Sequence, residues 1–329
     1  MRRLSYVQAL NEGLRQAMEQ NNRVFIIGQG VKNPWYVGDS MRGIGEQFGW
    51  ERVIDPPVSE QGINGIAIGA ALVGYHPIVI HPRMDFMLMG VEQLINQAAN
   101  WSYMFGGQIG VSMTIWSIIN RGGQQAAQHS QALQAMFAHI PGMKVVMPST
   151  PYDVKGLLMS SILDPNPVMF IDDRWLYALE GDVPEEPYMV PIGPAARIRE
   201  GNDVTVVATS YMTHVCDQAA TSLEARSIGV DLIDVRTIKP LDEESILQSV
   251  RKTGHLVVVD AAWRTCGVAA EIAATIGERA FESLKAPIRR VTLPDAPAPM
   301  SATLEKVYYI TADDVVAAVE ATLGVVKSA

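Results

Sequence analysis

Polar and apolar positions along the first half of the chain fall into short blocks whose period keeps switching. Ser5 followed by Gln8 has the form of a capping box and opens a helix expected to run to about residue 19. The apolar run 24–27, closed by Gly28, predicts a strand buried on both faces. Further apolar runs predict strands at 77–80, 111–116, 144–147 and 168–171, with helices between them. Thr150 before Pro151 marks a helix start, since Thr accepts from an end N–H and Pro is pre-shaped for the first helical position. A turn-rich stretch over 180–194, with Gly181, Pro184, Pro187, Pro191, Gly193 and Pro194, interrupts the pattern. The alternation then resumes with strands at 204–208, 230–235, 256–259 and 288–291 and helices near 217–225, 242–250 and 268–281. Such alternation implies an α/β fold of two domains, each a mainly parallel sheet flanked by helices. The expected division is a first domain over 1–182, a linker over 183–194 and a second domain over 195–329.

Composition agrees with two globular cores. The chain has 329 residues, 48% hydrophobic and 19% charged, roughly two domains' worth of length. Its net charge of -9 offers no footprint for phosphate backbones or anionic lipid, so neither nucleic acid nor a membrane surface is an expected partner. Cys216 and Cys266 stand 50 residues apart, which suits neither a disulfide framework nor a Cys-based metal site and fits a reducing cytoplasm. No stretch approaches the about 18 apolar residues of a membrane span, and the start lacks an apolar signal core. Thirteen of 16 Met and five of six Trp lie at or before Trp175, and these residue types favour large adaptable contacts.

Three places could carry chemistry. Ser59-Glu60 precedes Gly62-Ile63-Asn64-Gly65-Ile66-Ala67-Ile68-Gly69, whose small and apolar residues on every side describe a buried helix. Ser59 could cap that helix and Glu60 answer its dipole; alternatively Glu60 is a carboxyl group in a nearly dry site, raised in pKa and suited to exchanging a proton with a ligand. His129, in a Gly- and Gln-rich loop on the carboxyl side of a strand, either satisfies nearby backbone or faces a ligand of the kind open α/β sheets bind there. His81, Arg83 and Asp85, directly after a strand, form either a structural ion cluster or an anion site. GxGxxG after a strand, GxxxxGK[ST], HExxH and GxSxG are all absent, so the hard chemistry of an enzyme would need another source.

The blocks Ile54-Asp55 to Glu60-Gln61-Gly62, Gln93 to Asn96, Gln128-His129-Ser130-Gln131, Pro141-Gly142-Met143-Lys144-Val145-Val146 and Asp234-Val235-Arg236-Thr237-Ile238-Lys239-Pro240-Leu241-Asp242 stand in family order over nearly the whole chain. Together they resemble the beta subunit of the thiamine-diphosphate-dependent decarboxylase component of 2-oxoacid (pyruvate, branched-chain or acetoin) dehydrogenase complexes. The resemblance implies a transketolase-like pyrimidine-binding domain followed by a transketolase C-terminal domain. It also implies thiamine diphosphate and Mg2+ held mainly by an alpha subunit through a Gly-Asp-Gly motif that this chain lacks, in an α2β2 heterotetramer. A lipoyl acyltransferase core is a further implied partner. Carried over by position, Glu60 matches the glutamate that promotes the imino tautomer of the cofactor's aminopyrimidine, and an acyl carbanion formed on the cofactor passes to an acceptor. Phe86 matches the aromatic that packs on the aminopyrimidine, and His129 a histidine near the reactive carbon. Asp164 and Asn166 resemble a segment that in some members helps hold K+.

Departures lie around the pocket. Gln29-Gly30 stands where many members carry two acids, and His81-Pro82-Arg83-Met84-Asp85 replaces an apolar and aromatic run. Met89 replaces a usual polar residue on the cofactor-binding side. Gln29, His81 and Arg83 are therefore expected along a substrate channel. The leading reading is an oxidoreductase subunit acting on a small 2-oxoacid. The alternative is a split transketolase-like or acyloin-forming enzyme that moves a two-carbon ketol unit from a ketose, slightly favoured by an added cation at Arg83. A third reading is a non-catalytic subunit.

Overall fold

The structure is a computed structural model and describes residues 1–33 and 37–325. The last four residues of the second expected domain lie outside the described residues. The chain divides into two compact units, one of residues 1–121 and 128–192, the other of 122–127 and 193 onward. A division by sequence position alone does not anticipate that the short segment Gly122–Ala127 belongs with the second unit.

In the first unit the strands are β1 (Arg2–Ser5), β2 (Val24–Gly28), β3 (Val53–Ile54), β4 (His76–His81), β5 (Thr114–Ile119), β6 (Lys144–Val146), β7 (Val168–Asp173) and β8 (Glu180–Val183). Six of them lie in the order β6-β7-β5-β4-β2-β3, every neighbouring pair parallel. Parallel pairing demands crossovers, which the helices Glu60–Leu72 and Pro151–Leu163 help supply. The parallel strands are buried on both faces, which is why their sequences read as unbroken apolar runs. Gly28 is obligatory where β2 meets β4, because a Cβ there would sit 2.5 Å from the Ile80 carbonyl oxygen.

The capping box is present: Ser5 Oγ accepts from Gln8 N at 3.3 Å, and Gln8 Oε1 accepts from Ser5 N at 2.9 Å. The helix it opens spans Tyr6–Gln20. Thr150 Oγ1 likewise accepts from Asp153 N at 3.0 Å to start Pro151–Leu163. Differences from expectation have local causes. The run at 111–116 becomes a strand only at Thr114, where the ladders to β4 and β7 begin; the preceding Ser112 turns its hydroxyl to the Asp164 carbonyl instead. The turn-rich stretch begins with β8, which pairs antiparallel with β1. The helix Glu60–Leu72 is not buried all round, for Ile66 is 59% exposed beside open Gly62, Gly65 and Gly69.

The second unit contains β9 (Ala196–Arg199), β10 (Val204–Ala208), β11 (Val230–Asp234), β12 (Thr237–Lys239), β13 (Leu256–Trp263) and β14 (Arg289–Leu293). Five of these form a sheet of order β14-β13-β10-β11-β9, parallel except for β9. Its core joins Val206, Leu232, Val257 and Val259 to Ala219 and Leu223 of the helix Tyr211–Glu224. That helix starts six residues earlier than the pattern predicts, because Ser210, with φ 52°, makes no side-chain cap that would mark the start. Asp242 caps the helix Glu243–Thr253 through Ser245 N at 3.1 Å. Among the described residues no helix is long and apolar enough to cross a membrane.

Candidate functional site

The candidate groups gather at the carboxyl ends of β2 and β4 in the first unit. After β2 the chain turns at Gln29-Gly30, where Gly30 has φ 73°. Asp55, just past β3, fixes this turn by accepting from Gly30 N at 2.8 Å and Lys32 N at 3.2 Å. The turn directs the Gln29 side chain to Glu60, whose Oε1 accepts from Gln29 Nε2 at 2.9 Å. Glu60 is the first residue of its helix and only 5% exposed. The capping reading of Ser59 does not hold, for its hydroxyl makes no cap hydrogen bond.

One turn along the same helix Asn64 is fully buried. Its Nδ2 donates to the Gly90 carbonyl at 3.0 Å, and its Oδ1 lies 3.0 Å from His81 Nε2 at the end of β4. An amide oxygen only accepts, so this geometry puts the proton on Nε2. His81 is 1% exposed, and burial pushes its pKa down to about 4, which keeps the imidazole neutral near pH 7. The expectation that His81 lines a channel therefore meets a different placement: the ring lies beneath the site.

Arg83 differs in the same way. It is buried, and its Nη1 donates to the Pro82 carbonyl at 2.8 Å, an oxygen that also accepts from Asn120 Nδ2 at 3.0 Å. One end of the guanidinium is thus held by the backbone of its own turn.

The short helix Met84–Met87 buries Met84 and Met87, which turns Phe86 outward at 38% exposure and leaves Met89 at 64%. The His129 ring stands edge-on to Phe86 with centroids 5.3 Å apart. Asp85 is buried beside them, and its Oδ1 accepts from Gln131 N at 3.2 Å. Burial pushes the Asp85 carboxyl pKa up, while the bond from Gln131 and the neighbouring His129 pull it back. Glu60 with Gln29, and Phe86 with His129, thus form two groups. The turn at 87–90 presses on the Glu60 helix: a Cβ on Gly90 would meet Asn64 Nδ2 and lie 2.8 Å from the Glu60 carbonyl oxygen.

A buried carboxylate with one oxygen held, near an outward aromatic and a thioether, suits a polar heteroaromatic ring that stacks and shares a proton. Aminopyrimidine has that chemistry, so these residues fit the ring the resemblance implies. Asp164 and Asn166 are not part of this gathering. They lie at the opposite end of the parallel strands, where Asp164 is ion-paired with Lys144 and accepts from Asn166 N at 3.0 Å. Both carboxylate oxygens are engaged, one by the Lys144 ammonium and one by the Asn166 N–H. Among the described residues no cluster of three or more His, Cys, Asp or Glu could hold a metal ion. Asn64, as a support, escaped sequence reasoning, and Asp85, named there beside His81 and Arg83, serves as a partner of the His129 loop. An asparagine at the fourth position after Glu60, one turn on along the same face of the helix, was the available sign of it.

Comparison with known proteins covers nearly the whole chain. The family model described as transketolase, pyrimidine binding domain, matches residues 2–179, and that described as transketolase, C-terminal domain, matches 193–315. The chain is 42% identical over 332 residues to the acetoin:2,6-dichlorophenolindophenol oxidoreductase subunit beta of Cupriavidus necator, covering 98% of each. It is 39% identical over 317 residues to the 2-oxoisovalerate dehydrogenase subunit beta of Bacillus subtilis, covering 96% of this chain and 97% of the relative. A solved split gene transketolase, described as an inactive beta4 tetramer, shares the fold at TM-score 0.79 and 24% identity over 98% of both chains.

Proposed function

The chain belongs to the beta subunits of the thiamine-diphosphate-dependent 2-oxoacid dehydrogenases, enzymes of transketolase-like fold, and from this we propose that it supplies the aminopyrimidine side of a site completed by an alpha-type subunit. The cofactor, when bound, supplies an electron sink for cleavage next to a carbonyl. The chain's residues supply orientation and a proton. Gln29 holds Glu60 Oε1, so Glu60 Oε2, which has no hydrogen-bond partner among the described residues, is the oxygen that exchanges a proton with a ring nitrogen. Phe86 and Met89 give the ring its apolar platform. His129, set edge-on to Phe86, orients toward the substrate carbonyl. The observation that carries this reading is the buried Glu60 carboxylate tethered at one oxygen only.

The finer reading is an α2β2 assembly in the cytoplasm, with Mg2+ held by the partner and the acyl group passed to a lipoyl acyltransferase core. Exposed Val58, Ile66, Val73 and Tyr103 support a partner, being a large apolar surface for one chain to leave uncovered. Potassium held by the segment of Asp164 and Asn166 belongs to the same reading on the resemblance alone, the Asp164 side chain itself being paired with Lys144. A first domain over 1–182, a linker over 183–194 and a second domain over 195–329 belong to the same reading, supported by the turn-rich composition of the linker. A second substrate reading, an acyloin such as acetoin in place of a 2-oxoacid, is favoured by the 42% identity to the acetoin-oxidising relative. Reduction of 2,6-dichlorophenolindophenol by the assembled complex with pyruvate, 2-oxoisovalerate or acetoin separates these donors. Glu60→Gln tests the core of the proposal: deuterium exchange at the reactive carbon of bound thiamine diphosphate should slow by at least about 100-fold while the fold survives. An unchanged exchange rate would reduce Glu60 to a structural residue.

A further inference from the structure

Asn64 is the only hydrogen-bonding side chain on the inward face of its helix after Glu60, and both ends of its amide are engaged. Leaving such a group unbonded in a dry site is costly, so its two partners fix its rotation. Nδ2 grips the carbonyl of Gly90, which closes the turn that carries Phe86 and Met89. Oδ1 accepts from His81 Nε2, and His81 is the last residue of β4. Thus one side chain ties three elements: the helix that begins with Glu60, the strand that leads into the Phe86 turn, and the far end of that turn. The fit is tight, since Gly90 has no room for a Cβ between Asn64 and the Glu60 carbonyl. The His81 ring is buried and neutral, which makes it a fixed donor near pH 7.

We propose that Asn64 and His81 are positioning residues that set the Glu60 carboxylate and the Phe86–Met89 platform at the separation one aminopyrimidine ring requires. Neither touches the ring. Glu60 exchanges the proton; Asn64 and His81 hold the platform against which the ring lies. This inference rests on the proposed function of Glu60. A displacement of about 1 Å in such a constellation is enough to cost orders of magnitude in rate.

The test uses the complex assembled with its partner subunit, Mg2+ and thiamine diphosphate. Two quantities are read for each variant: the dissociation constant of thiamine diphosphate, and the rate of deuterium exchange at its reactive carbon per bound cofactor. Asn64→Ala and His81→Leu should each weaken binding and slow exchange by about 10-fold or more, the equivalent of one buried hydrogen bond. His81→Gln retains an N–H donor for Asn64 and should recover exchange to within about threefold of wild type. A merely structural pair would lower the melting temperature and the assembled fraction, with exchange per bound cofactor unchanged. Exchange within about twofold of wild type in both Asn64→Ala and His81→Leu overturns the inference, as does a His81→Gln variant as slow as His81→Leu. If Asn64→Ala does not assemble, the contrast between the two His81 variants decides alone. Glu60→Gln, run in parallel, keeps the two failures apart: if it is silent the site reading falls, and if it is slow while the pair is silent only the positioning role falls.

Discussion

Gln29 Nε2 and Glu60 Oε1 lie 2.9 Å apart, joining the turn after β2 to the first residue of the Glu60–Leu72 helix. The two are 31 residues apart in sequence, and Asp55 makes the contact possible by holding the turn from its backbone side. Gln29→Leu should slow turnover of the assembled complex by about 10-fold, because a buried carboxylate oxygen loses its donor. Gln29→Glu, nearly isosteric, can keep the contact only while the two carboxyl groups share a proton, so its turnover should become pH-dependent where wild type is flat, falling as the pH rises and that proton is lost. A Gln29→Glu pH profile identical to that of wild type would show that the amide donor has no part in placing Glu60.

His81 and Asp172 make opposite demands on pH. Burial pushes His81 down to about 4, so the unfolded chain binds a proton below about 6.5 that the native chain refuses, and stability is lost as pH falls from about 6.5 to about 4. Burial pushes Asp172 up to about 7, opposed by the hydroxyl of Tyr177, which donates to its Oδ2 at 2.9 Å. The native chain keeps that proton, and stability is lost as pH rises from about 4 to about 7. Between pH 4 and 6.5 the slopes oppose each other. His81→Gln removes only the first, so relative to wild type the variant should gain about 2 kcal/mol on going from pH 7 to pH 5. Urea denaturation at the two pH values measures this, and a difference that does not change with pH contradicts it.

Lys155 has no solvent exposure, yet its ammonium binds Glu12 Oε1 at 2.6 Å and the carbonyls of Pro184 and Glu186 at 2.7 and 3.1 Å. Lys155→Met fills the same space and strands those acceptors, so unfolding free energy should fall by about 3 kcal/mol. Glu12→Gln should cost less because the carbonyls keep their donor. The ranking of the two denaturation midpoints checks the assignment.

Arg83 donates to the backbone of its own turn, and this sets the expectation for Arg83→Met. Turnover of pyruvate, 2-oxoisovalerate and acetoin should fall by the same factor, together with a loss of stability of about 1 to 3 kcal/mol. A loss confined to anionic or polyhydroxylated donors would place the guanidinium on the substrate after all.

The buried strands of both units were legible because double-sided burial leaves no polar alternation to misread. The ribbon of β1 and β8 was not, since Arg2-Arg3 and Glu180-Gly181-Asp182 look like solvated turns, and the ladder that unites them pairs Arg3 with Asp182, with a side-chain ion pair from Arg3 to Glu180, 177 residues away. Glu60 could be picked out as an acid opening an apolar helix. Its tether could not, because nothing in the spacing of Gln29 and Glu60 says that the Asp55-held turn brings them together. Arg83 shows the converse: an arginine after a strand reads as a binding group, and only the rotamer reveals that its Nη1 donates to the Pro82 carbonyl.

The helix that starts at Glu60 leaves Gly62, Gly65, Ile66 and Gly69 open along one side, flanked by Val58 and Val73. A surface of this kind turns translation rates into a folding variable. Copies synthesised in excess of whatever covers them will present the same greasy stripe to chaperones, to proteases and to each other. Yield of soluble chain should therefore track the expression ratio of its companion rather than the intrinsic stability of either of its own two cores.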